Sequence, residues 1–147
     1  MTASASKLNK YTTVDVETAS QGKLIVMLFN GAIKRAEEAK RQLEKGKNEA
    51  VHNNLIRAQE IVAELRSSLD MRHGDVAKNL DRLYEYFQHL LITANIRKTV
   101  APIDECIGLM TGLRDTWQEA FRQVSEQKPG EAPRINQHGA AVLNLQG

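Results

Sequence analysis

The sequence predicts an all-α protein, an antiparallel up-down four-helix bundle. Apolar residues recur at three- and four-residue intervals in four segments, the spacing that places side chains on one helical face. Glycine and proline separate these segments and leave short connections, which favour antiparallel neighbours. No segment alternates apolar and polar residues long enough to favour a strand. A length of 147 residues suits one domain with its own core.

The first helix is expected to begin at about residue 20. Thr18 and Gln21 have the spacing of a capping box, and Ser20 is a competing cap. The helix should end at Gly46. Its predicted core side consists of Leu24, Leu28, Gly31, Ala32, Ala39 and Leu43.

The second helix is predicted from about Asn48 to His73-Gly74. Its core seam alternates four- and three-residue steps and consists of Val51, Leu55, Ala58, Val62, Leu65 and Leu69.

The third helix, with Asp75 as its expected cap and Lys98 near its end, has more apolar surface than one buried face requires. Tyr84 and Leu91 lie roughly 70–90° from its core seam at about 100° per residue. Ile92 and Ile96 point nearly opposite that seam. The seam consists of Val76, Leu80, Leu83, Phe87, Leu90 and Ala94.

The fourth helix should carry Pro102 in its first turn, where a missing N–H costs nothing. Residues 128–130 close it. The predicted organisation is a mobile N-terminal arm over 1–19, a bundle domain over 20–124 and a flexible tail over 125–147. The core stripe of the fourth helix consists of Ile103, Cys106, Met110, Leu113, Trp117, Phe121 and Val124.

Composition argues against several classes of protein. Twenty basic and 18 acidic residues are mixed along the chain, so no basic stripe for nucleic acid is expected. The longest apolar run, residues 24–29, is too short to cross a bilayer. Residues 1–10 lack the apolar core of a signal peptide, and the single cysteine suits a reducing compartment. A cytoplasmic protein without membrane insertion is predicted.

No set of residues predicts catalysis, a metal or a cofactor. A di-iron bundle needs two Glu-x-x-His pairs, and this chain has one, Glu49 to His52, whose side chains point away from the core seam. Cys106 lies on a core stripe, which indicates an inert thiol. The prediction is therefore a protein that is not an enzyme.

Two stripes beside the core seams are the candidate binding residues. Ile56, Gln59 and Ala63 share one side of the second helix, and both stripes are displaced in the same sense from their seams. They either flank the groove between helices two and three or both turn away from it. A helix-binding groove and ordinary packing or a homo-oligomer contact both fit this pattern. The stripe on the third helix consists of Ala77, Tyr84, Gln88, Leu91 and Asn95.

The chain resembles the FliS-type flagellin-specific export chaperones over roughly residues 11–124. It departs from the family at Phe29-Asn30, where Tyr-Asp is common, and at Gln21, where proline is usual. The resemblance is carried by residues 16–33, 54–70, 74–95 and 109–117, with Tyr11 upstream.

The resemblance implies a cytoplasmic chaperone that binds the disordered C-terminal segment of flagellin, prevents premature polymerisation and keeps it competent for the flagellar export apparatus. A co-chaperone or regulator is a further candidate partner, and the protein would be a monomer or homodimer. The alternative is a structural homo-oligomerising bundle without this client. Ile56, Leu80, Tyr84 and Leu91 would supply apolar contact, while Gln59, Gln88 and Asn95 would pair with client backbone. Tyr11 would occupy or gate the groove, or staple the bundle.

The tail, residues 135–147, resembles the end of a flagellin. Val142, Leu143 and Leu145 are predicted either to dock in the chaperone's own groove or to remain part of a disordered tail.

Overall fold

Four helices make up the bundle in the computed structural model, which describes residues 13–126, with side chains at 21–124 and 126. Within this range there is no strand, and the predicted all-α class is confirmed. A 3-10 turn, Met71–His73, lies between the second and third helices. The helices are α1 (Thr13–Glu44), α2 (Asn48–Ser67), α3 (Asp75–Arg97) and α4 (Ala101–Glu126).

The helices form a closed ring in which each packs on the next and α4 packs on α1. Arg114 of α4 donates to the Asn30 side chain of α1 at 3.0 Å, and Lys40 lies 2.8 Å from Asp104. Residue numbers thus rise along α1 while they fall along α4. This opposed order identifies the pair as antiparallel, as predicted for an up-down bundle.

Aromatic side chains fill the centre of the bundle. The Tyr84 ring lies between those of Phe29 and Phe87, with centroid separations of 6.1 and 5.9 Å. Trp117 and Phe121 stack at 5.3 Å. These rings join helices α1, α3 and α4, and tilted or offset aromatic pairs stabilise a core beyond the area they bury.

The buried face of α3 is rotated from the predicted seam. Tyr84 and Leu91, predicted to lie beside the seam, are buried within it, whereas Val76 and Leu83 are only half-buried. Both patterns follow three- and four-residue spacing, so periodicity alone does not separate them. Burial of the large Tyr84 ring between two phenylalanines favours the observed rotation. The buried residues of α3 are Ala77, Tyr84, Phe87, Leu90, Leu91 and Ala94.

Helix α1 also differs from the prediction. It begins at Thr13, inside the segment expected to be an arm, and residues 1–12 lie outside the described part. It ends at Glu44, two residues before Gly46, close to the predicted end. Leu24, predicted to face the core, is exposed. Ala32 and Ala39 are buried as predicted, and the buried face also contains Phe29, Ile33 and Ala36.

The connection from α2 to α3 begins earlier than predicted, because α2 ends at Ser67. The Asp70 carboxylate accepts a hydrogen bond from the Arg72 backbone N–H at 3.0 Å and caps the 3-10 turn. Gly74, with φ of +65°, is the N-cap of α3. The predicted cap, Asp75, instead occupies the first turn, where its negative charge still interacts favourably with the helix dipole.

Helices α1 and α4 approach closely at Gly22. A Cβ added there would lie 2.6 Å from Cγ of Phe121, closer than real contacts allow. By contrast, a Cβ added at Gly112 on α4 would meet nothing within 4 Å. Gly22 therefore permits the contact that closes the ring.

The variant Gly22→Ala should lower the free energy of unfolding by about 1 kcal/mol, because overpacking outweighs the gain in helix propensity. The matched variant Gly112→Ala should raise it by about 0.5–1 kcal/mol, since it gains propensity without a clash. Urea unfolding followed by circular dichroism measures both. Equal stabilisation by the two substitutions would contradict the close packing at Gly22.

Candidate partner-binding surface

Three polar pairs join α2 to α3 along the outer side of the bundle. On each helix the three residues are spaced seven apart, which is about two turns, so they share one face of that helix. Numbers rise on α2 while they fall on α3, which makes these helices antiparallel. The three polar pairs are His52–Asn95, Gln59–Gln88 and Arg66–Asp81.

In each of the first two pairs, α3 contributes a side-chain amide. Asn95 Nδ2 lies 2.8 Å from His52 Nδ1, and Lys98 Nζ donates to Asn95 Oδ1 at 2.7 Å. The same lysine nitrogen donates to the Asn95 backbone carbonyl at 2.6 Å, next to the end of α3. In the middle pair Gln88 Nε2 donates to the backbone carbonyl of Gln59 at 3.4 Å. These bonds orient Asn95 and Gln88 along the junction of the two helices.

Arg66 forms the third pair and connects several side chains. Its Nε and Nη2 donate to the two carboxylate oxygens of Asp81 at 2.6 and 3.2 Å. Nη1 donates to Gln88 Oε1 at 3.3 Å, and Glu85 lies 3.4 Å from Nη2. Hydrogen bonds from Arg66 hold the pKa of the Asp81 carboxyl below its ordinary value. This bidentate geometry fixes the C-terminal half of α2 against the start of α3.

Exposed isoleucines flank the polar pairs near His52 and Asn95. Ile56 lies between His52 and Gln59 along α2 and is 37% exposed. On α3, Ile92 and Ile96 are 44% and 78% exposed. We name the three polar pairs together with Ile56, Ala63, Ile92 and Ile96 the α2/α3 surface. The predicted stripe of helix two and the polar members of the stripe of helix three therefore flank the junction of the two helices.

The α2/α3 surface brings together half of the predicted binding residues. Ile56 and Ala63 are exposed, while Gln59, Gln88 and Asn95 are half-buried.

The remaining predicted residues of the bundle lie elsewhere. Ala77, Tyr84 and Leu91 are buried, and Leu80 is half-buried and packs on the core. The rotation of α3 that buries Tyr84 turns these four side chains inward, so they pack in the interior beneath the α2/α3 surface.

Four predicted residues lie outside the described part of the chain. They are Tyr11, Val142, Leu143 and Leu145.

Several members of the α2/α3 surface were not predicted. Arg66, Asp81 and His52 make its polar contacts, and Ile92 and Ile96 provide its largest apolar exposure. The heptad spacing of polar residues, in opposite order on two successive helices, is a signal in the sequence that could have identified the first three.

The cysteine and the Glu-x-x-His pair of the sequence lie at separate places in the bundle. Cys106 is buried, its thiol lies 3.8 Å from the Phe87 carbonyl oxygen, and burial raises its pKa to about 12. His52 contacts Asn95, whereas Glu49 is exposed. Among residues 13–126 no group of three or more His, Cys, Asp or Glu side chains is placed to hold a metal ion.

Comparison with known proteins identifies relatives along most of the chain. The family model described as Flagellar protein FliS matches residues 4–124. The flagellar secretion chaperone FliS of Bacillus subtilis is 32% identical over 125 residues, 83% of this chain and 93% of the relative. That of Salmonella typhimurium is 34% identical over 130 residues, 84% and 96%. That of Vibrio cholerae is 32% identical over 117 residues, 76% and 86%.

Within the described helices, none is both long and apolar enough to span a membrane.

The variant Asp81→Asn should lower the melting temperature at neutral pH, because it removes the carboxylate that Arg66 binds. The pKa of Asp81 is lowered in the folded state, so its contribution is present above the unfolded value of about 3.9. That contribution is lost as the pH falls through the lowered pKa. Melting curves of both proteins from pH 7 to pH 2 should therefore converge at acidic pH.

A double-mutant cycle provides the control. In an Arg66→Met background, Asp81→Asn should change the melting temperature much less than in the original protein. An undiminished effect would show that Asp81 acts through some other group.

The Cys106 thiol should not react with a disulfide reagent at pH 8 while the protein is folded, because it is buried and its pKa is about 12. Unfolding in denaturant should expose one reactive thiol per chain. The absorbance of the thiolate that the reagent loses when a protein thiol attacks it measures this reaction. Rapid modification in native buffer would overturn the assignment.

Proposed function

Because this chain belongs to the FliS family of flagellar secretion chaperones, we propose that its α2/α3 surface binds the C-terminal segment of flagellin in the cytoplasm. The bound segment would be withheld from polymerisation and kept competent for transfer to the flagellar export apparatus. A co-chaperone or regulator belongs to the same proposal as a further partner.

The observation that carries this proposal is the juxtaposition of exposed isoleucines and oriented amides. Ile56, Ile92 and Ile96 lie on helices whose junction is lined by the Gln88 and Asn95 side chains. An amphipathic helix laid along two helices needs this combination of apolar contact and polar guides. Ala63, with its small side chain, leaves room at the other end of the surface.

The expected strength of this contact is moderate. Full burial of an isoleucine stabilises by about 1.5–3 kcal/mol, and the three isoleucines are already partly covered, so each contributes about 1 kcal/mol. Ordering a disordered segment costs roughly 2–5 kcal/mol. The three isoleucines together thus contribute about 3 kcal/mol, which only offsets the ordering cost, so binding also requires contacts outside them.

The proposed chaperone acts by binding alone, with no catalytic step. The only cysteine is buried with a raised pKa, which opposes a role as a nucleophile. Among the described residues, the buried set contains no charged or amide side chain. A reaction would need such groups converging in a pocket.

The variant Ile92→Asp should weaken binding of a peptide from the flagellin C-terminus by about tenfold or more, equivalent to about 1.4 kcal/mol. The reason is that a carboxylate would lose its hydration in an apolar contact. Isothermal titration calorimetry measures the affinity, and circular dichroism confirms that the variant folds.

Leu109→Asp is the matched control. Leu109 is 38% exposed on α4, close to Glu105, which accepts a hydrogen bond from Tyr86 on the other side of α3. It should leave the affinity unchanged. An equal loss of affinity in both variants would refute the proposed surface. No binding of the peptide by the original protein would refute the proposed client.

The alternative function is a homo-oligomerising bundle that uses the same isoleucines. Sedimentation velocity at several concentrations distinguishes the two. A dimer that Ile92→Asp dissociates, combined with no affinity for flagellin, would favour the alternative.

A further inference from the structure

A second apolar patch lies near the start of the described part of α1. Leu24 and Met27 are 55% and 61% exposed, and we name them the α1 patch. Leu28, next to Met27, is half-buried and packs against the core, so the patch is continuous with the interior. Neither residue belongs to the α2/α3 surface. Their exposure is thus not explained by the core or by the proposed client site.

Helix α4 ends at the same end of the bundle as the α1 patch. The Phe121 ring packs against Gly22, two residues before Leu24. Glu126, the last residue of α4, follows Phe121 by five residues. At 1.5 Å per residue, the end of α4 and Met27 are separated by about 15 Å along the bundle axis. Leu24 and Met27 lie roughly 140–160° around α1 from Gly22 at about 100° per residue. The chain therefore leaves the bundle at the end that carries the α1 patch and must pass around α1 to reach it.

The sequence after α4 contains apolar residues that the described core does not use. Residues 127–134 carry two basic side chains and one acidic side chain, and they are followed by 135–147, which contain no Asp, Glu, Lys or Arg. Val142, Leu143 and Leu145 lie within four positions of one another. Eight extended residues span up to roughly 26 Å, so a linker of the length of 127–134 is sufficient to reach the patch.

The isoleucines of the α2/α3 surface are a poorer destination for this segment. Ile96 lies one residue before the end of α3, and α4 begins at Ala101. Ile96 is thus near the opposite end of α4 from Glu126. The 26 residues of α4 separate those ends by about 39 Å at 1.5 Å per residue.

We propose that residues 135–147 dock on the α1 patch of the same molecule through Val142, Leu143 and Leu145. Burying these aliphatic groups against Leu24 and Met27 removes apolar surface from water on both sides. The segment has no Asp, Glu, Lys or Arg side chain to desolvate, so the contact should vary little with salt. Attachment by a short linker gives an effective concentration of about millimolar, which favours even a weak contact. The α2/α3 surface remains open, so the inference is independent of the proposed function.

Paramagnetic relaxation tests the contact in the full chain. A nitroxide attached to Gln146→Cys should broaden the methyl signals of Met27 and Leu24 and leave those of Ile92 and Leu109 sharp. Cys106 is buried, so the label is directed to the added cysteine. Loss of the Met27 signal, restored when the nitroxide is reduced, is the expected result. Broadening centred on Ile92, or none at Met27, would overturn the proposal.

Two controls make the result specific. Replacing Val142, Leu143 and Leu145 by Ser should restore the Met27 signal, whereas replacing Asn136, Gln137 and Asn144 by Ser should not. Isotope-labelled protein mixed with an unlabelled, nitroxide-bearing copy should show no broadening. Broadening in that mixture would instead assign the patch to contact between molecules.

Discussion

Burial of Tyr84 is the constraint on which the rest of the structure depends. Its ring contacts Phe29 of α1 and Phe87 of α3, so it sets the rotation of α3 about its own axis. That rotation turns Gln88 and Asn95 toward α2 and leaves Ile92 exposed. The core therefore determines the composition of the outer surface. A large ring needs a buried position, and a helix has few rotations that provide one.

The number and type of the helices were predictable because long three- and four-residue periods and a proline in a first turn are strong local signals. The rotation of α3 was not. Val76 and Leu83 compete with Ala77 and Tyr84 for the buried face, and only contacts with Phe29 decide between them. The residues of the predicted stripe on α3 are accordingly divided between two places. Its polar members lie at the junction, whereas its largest apolar members belong to the core.

The α2/α3 surface separates holding the helices together from offering contact to a partner. Arg66 and Asp81 make their bonds within the bundle and stabilise the pair of helices. The apolar side chains of Ile92 and Ile96 take no part in these bonds and remain exposed. A protein that must accept and release another chain benefits from this separation, because a change in the exposed residues need not weaken the fold.

The even seven-residue spacing of the polar pairs has a consequence for the direction of anything bound along them. A uniform surface would accept a helix in either direction and in registers shifted by two turns. This one is unequal along its length, since isoleucines lie near His52 while Glu85 and Arg66 carry charge at the other end. A bound helix with one apolar end would therefore prefer the orientation that places this end beside the isoleucines.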